Sequence, residues 1–233
     1  MNKKILAIIP ARGGSTGLPN KNILDFCGKP MIYYTIAEAQ KSSVCDRIVV
    51  STDSEAIAAV SRECGAEVPY LRPPELATAD ANIVDTVLHM LDYLRDEDGY
   101  EPDMFFLLQP TSPLREASDI TQSLGLFEKE RSSVLISVCP TLFQVFYIQE
   151  GKLAYTQPQD ELINRQERAA TYKQDGSMIY LYDTNYFRQN PNFAPEGATA
   201  YVVPKWKAVD VDDKEDFELA EVLYKNRDSF KQS

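Results

Sequence analysis

The chain has 233 residues, enough for one domain with an appendage to bury a full core without disulfide or metal staples. With 44% hydrophobic and 25% charged residues and only 10 Gly, it is neither disordered nor fibrous. A net charge of −11 argues against a general electrostatic grip on nucleic acid or an anionic membrane, although a local basic pocket can still hold a small anion.

Cys27, Cys45, Cys64 and Cys139 are widely spaced and form no C-x-x-C, which fits reduced thiols better than a disulfide frame or a zinc site and suggests a cytoplasmic protein. The apolar run Ile5 to Ile9 is cut by Pro10 and Arg12, too short for a signal-peptide core or for the roughly 20 residues of a membrane span.

In chain order, Lys4 to Pro10 predicts a buried strand that ends in the loop of Gly13, Gly14 and Gly17. Pro30 opens a helix through Lys41 on Ile32, Ile36 and Ala39. A strand at Arg47 to Val50, the turn Ser51-Thr52-Asp53 and a helix over Glu55 to Cys64 make a second strand–helix unit. A short strand is expected at Val68 to Leu71, and Asp80 is placed to cap a helix over Asn82 to Arg95. A strand at Asp103 to Leu108, a helix at Ser118 to Lys129 and a strand at Val134 to Val138 continue the alternation. Strands at Gly176 to Tyr182 and Ala200 to Val203 and a last helix over Asp213 to Asn226 complete it, with Phe217, Ala220, Val222 and Leu223 among that helix's apolar positions. Such alternation predicts an α/β fold with a doubly wound, mostly parallel sheet.

Between Phe143 and Tyr172 the rhythm breaks into a polar, irregular excursion that mixes aromatics with Arg165 and Arg168, Lys173 following directly. Leu142, Phe143, Val145, Phe146 and Tyr147 are too apolar to leave in water, so the excursion is expected to bury itself in a homodimer.

Pro10-Ala-Arg-Gly-Gly-Ser-Thr-Gly-Leu-Pro-Asn-Lys-Asn22 sets Arg12, Ser15 and Lys21 beside the backbone N–H groups of a Gly-rich turn, chemistry that suits phosphate oxygens. Residues 1 to 24 hold four basic side chains and no acid in an otherwise acidic chain. The spacing matches neither G-x-G-x-x-G nor G-x-x-x-x-G-K-[ST]. Asp210 and Asp212 alternate with Val209 and Val211, so on a strand both carboxylates share one face and form a hard oxygen pair suited to Mg²⁺. The competing reading is that the pair caps the helix beginning near Asp213. His89 is the only histidine and sits in an apolar helical stretch, which favours a structural role and excludes histidine triads. Arg72 taken alone reads as a surface arginine more readily than as a base reader, and Gln109 ends a buried strand where ligands of α/β sheets bind.

The Gly-rich loop, Ser51-Thr52-Asp53, Arg72-Pro-Pro-Glu-Leu-Ala77, Leu107-Leu-Gln-Pro-Thr-Ser-Pro-Leu-Arg115 and Val209-Asp-Val-Asp212 together resemble the acylneuraminate cytidylyltransferases, over nearly the whole chain. The resemblance implies a single Rossmann-like nucleotidyltransferase domain over residues 1–233, with an extension near 140–175 for dimerisation and sugar-site completion. It implies a Mg²⁺-dependent transfer of CMP from CTP to the C2 hydroxyl of an acidic nine-carbon, nonulosonic sugar, with release of pyrophosphate. Arg12, Lys21 and Asp212 then take catalytic roles, and Asp210 and Asp212 hold metal. Gly13, Gly14, Ser15, Asn22, Arg72, Asn82 and Gln109, with Arg12 and Lys21, contact the nucleotide. Gln109, Arg165, Lys173 and Tyr180 contact the sugar.

The chain departs from the family pattern at Thr16, where lysine follows Gly-Gly-Ser, and at Asp175, where asparagine is usual; Asp175-Gly-Ser-Met-Ile-Tyr180 is one residue longer than the family's Asn-Gly-x-Ile-Tyr. The alternatives are a non-catalytic nucleotide-sugar binder and a cytidylyltransferase for another acidic sugar such as Kdo.

Overall fold

The structure is a computed structural model that describes residues 3–15, 17–78, 80–141, 146–155, 170–174, 178–193 and 195–231. Strand β1 (Ile5–Pro10) leads through a Gly-rich loop and a 3-10 turn (Lys21–Ile23) to the two-residue strands β2 (Asp25–Phe26) and β3 (Lys29–Pro30) and helix α1 (Met31–Ser42). Then come β4 (Arg47–Ser51), α2 (Glu55–Glu63), α3 (Ile83–Asp98), β5 (Met104–Leu107), α4 (Ala117–Lys129) and β6 (Val134–Thr141). The remaining elements are β7 (Phe146–Gln149), β8 (Lys152–Tyr155), β9 (Thr171–Gln174), β10 (Tyr180–Asp183), α5 (Thr184–Gln189), β11 (Thr199–Val202), α6 (Lys214–Lys225) and α7 (Arg227–Phe230).

The main sheet runs β11-β6-β10-β5-β1-β4, with β9 added to β6. Strand β1 pairs in parallel with both β4 and β5, and β11 in parallel with β6, whereas β10 runs antiparallel between β5 and β6. The sheet is mostly parallel and covered on both faces, a Rossmann-like α/β fold. The continuous apolar run of β1 explains the two covers, because alternate side chains enter opposite layers. Ile5, Ala7 and Ile9 pack with Ile32, Ile36, Ile57 and Ile120 from α1, α2 and α4. Leu6 and Ile8 pack with Val87, Met90 and Leu91 of α3 and Phe187 of α5.

Several expectations shift. Val68 to Leu71 forms no strand, only isolated bridges Val49–Glu67 and Thr52–Leu71, because Pro69 has no N–H to extend a ladder. The cap of α3 is Asn82, whose side-chain oxygen accepts from the Val84 N–H at 3.0 Å, and not Asp80, which lies outside the first turn. The strand expected from Gly176 begins only at Tyr180 and runs against its neighbours. Of the apolar positions named on α6, Ala220 is buried and Val222 is 56% exposed. The excursion is not wholly irregular: β7 and β8 pair as a hairpin around Glu150-Gly151, both at positive φ, and β9 pairs with β6. Residues 142–145 and 156–169, with Arg165 and Arg168, lie outside the described residues, as do Thr16 and Asp175.

The reversed strand β10 is locked by aromatic packing. Phe187 is fully buried with ring centroids 5.1 Å from both Phe105 and Tyr182 and 4.9 Å from Phe193. Phe187→Ala is expected to cost about 3–5 kcal/mol, read as a lower urea midpoint at unchanged slope, and a loss under about 1 kcal/mol would contradict this packing account.

Candidate functional site

Strands β1 and β5 are parallel neighbours in the sheet, so the loops leaving their carboxyl ends stand side by side at the edge where ligands of α/β sheets bind. There lies a cavity of about 560 Å³ lined by Pro10, Arg12, Ser15, Gly17, Lys21 and Asn22 from the first loop. Arg72, Leu76, Thr78, Ala81, Ile83 and Thr86 form a second wall, and Gln109, Pro110, Thr111, Asp210 and Asp212 a third. Three cationic side chains therefore face two carboxylates across one space.

The first loop is shaped by its glycines and by Ser51-Thr52-Asp53. Asp53 Oδ1 accepts the Gly13 N–H at 2.8 Å, and the Ser15 N–H donates to the Gly13 carbonyl at 3.1 Å, so these two loop amides are engaged within the protein. At Gly17 a Cβ would run into the Asp212 carbonyl oxygen, so glycine is what lets the loop approach the acidic pair. Asn22 is buried and its amide donates to the Arg12 carbonyl at 3.2 Å, while Arg12 Nη1 donates to the Thr78 carbonyl at 2.9 Å. Lys21 Nζ donates to the Val211 carbonyl at 2.8 Å and to Asp212 Oδ1 at 2.9 Å. An ammonium has three donors, and one remains for a further acceptor.

Arg72 is buried, in contrast to the surface reading of its sequence context. Its Nε donates to Ser51 Oγ at 3.0 Å and its Nη2 to the Ser51 carbonyl at 2.6 Å. Burial pushes its pKa down, with Arg12 acting in the same direction and the Asp53 carboxylate opposing. Gln109 is held at the rim because Arg115 donates to its backbone carbonyl at 2.8 Å, to Thr35 Oγ1 at 3.1 Å and to the Met178 carbonyl at 2.5 Å.

Asp210 and Asp212 do share the cavity, but not on a strand: residues 208–212 pair with no strand. The alternation persists in the irregular chain, since Val211 is buried against Phe26, Met31 and Ala220 with Val209 beside them. The Val211 N–H donates to the Thr111 carbonyl at 2.9 Å, which pins the acidic segment to the loop after β5. The cap of α6 is Asp213, in a reciprocal capping box with Asp216, so neither Asp210 nor Asp212 fills that role.

Asp210 Oδ1 and Thr111 Oγ1 are both buried with no hydrogen-bonding partner among the described residues. Burial pushes the Asp210 carboxyl from 3.8 up to about 6, helped by the neighbouring Asp212 and opposed by the Lys21 ammonium. A buried carboxylate oxygen without a donor, next to a second carboxylate, fits a hard cation; the two acids are not part of a larger group, since among the described residues no three acidic, histidine or cysteine side chains gather as a metal site.

Other expected residues lie elsewhere. Gly13 and Gly14 shape the loop without lining the cavity, and Asn82 is exposed with its side-chain oxygen in the α3 cap. Lys173 is exposed on β9. Tyr180 is buried against Phe193 with its hydroxyl on the Gln174 amide, in the core layer beneath α3, because β10 enters the sheet with that face inward. His89 Nδ1 meets the Tyr70 hydroxyl at 2.7 Å, a structural pairing. Sequence reasoning missed Thr78, Thr86 and Thr111 as lining residues. Thr111 stands inside the Gln-Pro-Thr-Ser motif and was within reach; Thr86 is one turn into α3 from the cap and carried no separate signal.

With its pKa raised, folded Asp210 takes a proton more readily than the unfolded chain does. The stability that Asp210 contributes is therefore fullest below about pH 4 and is lost as pH rises through about 6. Without divalent cation or nucleotide, Asp210→Asn is expected to melt above the unaltered protein at pH 7.5 and close to it at pH 4 in scanning calorimetry. An equal or lower melting temperature at pH 7.5 would contradict the burial account.

Residues 6–232 match the family model described as cytidylyltransferase. The chain is 35% identical over 225 residues to the CMP-N,N'-diacetyllegionaminic acid synthase of Legionella pneumophila, covering 94% of this chain and 96% of the relative. It is 34% identical to the N-acylneuraminate cytidylyltransferase of Escherichia coli over 94% of this chain, but spans only 52% of that longer protein. It is 30% identical to a pseudaminic acid cytidylyltransferase of Campylobacter jejuni, covering 95% and 97% of the two. Among solved structures, a CMP:2-keto-3-deoxy-manno-octonic acid synthetase complexed with CTP superimposes with a TM-score of 0.70 at 18% identity over 96% and 99% of the two chains, a likeness of fold. With nearly every residue inside the family match and relatives above 30% identity along almost the whole length, the chain belongs to the cytidylyltransferase family.

Proposed function

We propose that the chain transfers CMP from CTP to the C2 hydroxyl of a nonulosonic, sialic-acid-like sugar and releases pyrophosphate. The observation that carries this reading is the crevice itself, where Arg12, Lys21 and Arg72 face Asp210 and Asp212 in one cavity. Relatives named for neuraminic, legionaminic and pseudaminic acids supply the substrate class.

In the proposed step the sugar hydroxyl oxygen forms a bond to the α-phosphorus, the bond from that phosphorus to the bridging oxygen breaks, and the hydroxyl proton passes to solvent. Pyrophosphate departs with the electron pair. No covalent intermediate is needed, so the protein's part is orientation and charge. Arg12 and Lys21 are assigned to the triphosphate, where Lys21 already stands between the loop and the acidic segment. Arg72 is a rigid, buried guanidinium tied to Ser51, suited to the base, and Gln109 at the rim suits the junction of base and sugar. Asp210 and Asp212 would hold Mg²⁺, which when bound neutralises charge on the phosphate oxygens.

The same reading assigns sugar-carboxylate recognition to cations of the extension, Arg165 or Lys173, completed across a homodimer. Exposed apolar side chains at Ile148 of β7 and Tyr172 of β9 are the observations that support burial of this extension by a second copy.

Incubation with CTP, Mg²⁺ and a panel of nonulosonic acids is expected to release pyrophosphate with at least one of them. Release with none at high enzyme concentration would favour a nucleotide-sugar binder. Asp212→Asn is expected to lower kcat by about 100-fold or more while metal-free CTP affinity changes little, because the carboxylate acts on charge that develops in the transition state; near-normal Mg²⁺-dependent turnover would remove the metal assignment. Thr16→Lys is expected to improve CTP handling by about tenfold, the gap between a neutral and a charge-assisted phosphate contact, and a loss of activity would contradict that assignment.

A further inference from the structure

We propose that Lys207 is a positioning residue: its buried ammonium holds the segment carrying Asp210 and Asp212 in fixed register with the strand end carrying Gln109. The proposal rests on the cytidylyltransfer reading of this cavity.

Lys207 ends a 3-10 turn at Lys205–Lys207, three residues before Asp210. It is 6% exposed, an unusual burial for a lysine, and lies outside the cavity. Its Nζ reaches Asp119, in the first turn of α4, at 2.7 and 3.0 Å and Glu116, the N-cap of that helix, at 2.7 Å. The two carboxylates are fixed in turn. The Asp119 carboxylate accepts the Glu116 N–H at 2.8 Å in a capping box and the Tyr201 hydroxyl at 3.3 Å, and Glu116 also pairs with Lys231. Trp206 stacks on Phe230 with centroids 5.8 Å apart, which presses the C-terminal helix onto the same turn.

What α4 begins from decides the consequence. Glu116 directly follows Arg115, whose guanidinium holds the Gln109 carbonyl, Thr35 and Met178. The Lys207 cluster and the Arg115 fork are thus consecutive residues of one chain segment, one gripping the acidic segment and the other the nucleotide-facing strand end. Downstream, the acidic segment is held by the Val211 N–H on Thr111 and by the Asp213 cap. Lys207 is the anchor on its upstream side. An isolated surface ion pair does little, but a buried ammonium shared by two carboxylates fixes geometry, since displacing it strands charge in the interior. Partners behind metal-binding carboxylates set their orientation in the same way.

Lys207→Met alone leaves Asp119 unpaired and can fail to fold, so the test is the double variant Lys207→Met with Asp119→Asn. The pair removes both charges, keeps an oxygen for the Glu116 N–H and leaves Glu116 to Lys231. Two readouts do not depend on turnover: amide hydrogen exchange at Val211, and the Mg²⁺ concentration that half-saturates the enhancement of CTP binding in calorimetry. In the double variant Val211 exchange is expected to quicken about tenfold while amides of β1 hold, and half-saturating Mg²⁺ to rise about tenfold with metal-free CTP affinity unchanged. Val211 protection within about twofold of the unaltered protein would overturn the proposal. So would faster exchange with an unchanged Mg²⁺ requirement, which is the signature of a purely structural role. If the unaltered chain releases no pyrophosphate with any sugar acid, the functional reading fails by itself, and these two readouts still decide the role of Lys207.

Discussion

The arrangement of the cavity turns on one unbalanced group, the Asp210 carboxyl. The fold buries it, leaves Oδ1 without a donor and sets a second carboxylate two residues away, a combination that costs stability in the absence of a cation. Most of the neighbouring structure serves to keep the pair in place all the same. Val209 and Val211 anchor the segment in an apolar cluster, Thr111 accepts the backbone N–H between the two acids, and Gly17 lets the cationic loop come up against Asp212. Such a group persists where binding of a cation repays its burial, as at many reactive centres.

The opposite wall is cationic but equally tied down. Arg72 is locked to Ser51 at the end of β4, Arg12 leans on the Thr78 carbonyl, and Lys21 bridges loop and acidic segment. Pre-set charge of this kind needs little rearrangement when a polyanion arrives, which is how electrostatic stabilisation becomes selective for a transition state. The loop amides of Gly13 and Ser15 are satisfied internally, so the proposed function assigns the phosphates to the side chains of Arg12 and Lys21.

The fold was legible because strand β1 and its neighbours are continuous apolar runs separated by amphipathic helices, a local pattern that the sheet preserves. The errors have physical causes too. Pro69 suppresses a ladder that hydrophobicity alone suggests, and the antiparallel direction of β10 shows only in its pairing with β5 and β6, strands distant in sequence. In the cavity, the basic loop and the acidic pair were legible by charge against an acidic background. The acidic pair was found through a strand that does not exist; an alternating pattern needs only buried valines on one side, and Val209 and Val211 supply them without a sheet. Tyr180 and Asn82 match family positions in the sequence, but their side chains are taken up by packing and capping. Lys207 and Asp119, 88 residues apart in the chain but one ion cluster in space, leave no mark in the sequence because a buried lysine looks like any other until its partners are known.

The most direct test of the account is a crystal structure with CTP and Mn²⁺ in place of Mg²⁺, located by its anomalous signal. The account predicts the ion between Asp210 Oδ1, an Asp212 oxygen and phosphate oxygens at about 2.0–2.3 Å, with Arg12 and Lys21 on the triphosphate. An ion bound away from Asp210, or a triphosphate lying outside the crevice between the loops after β1 and β5, would contradict it.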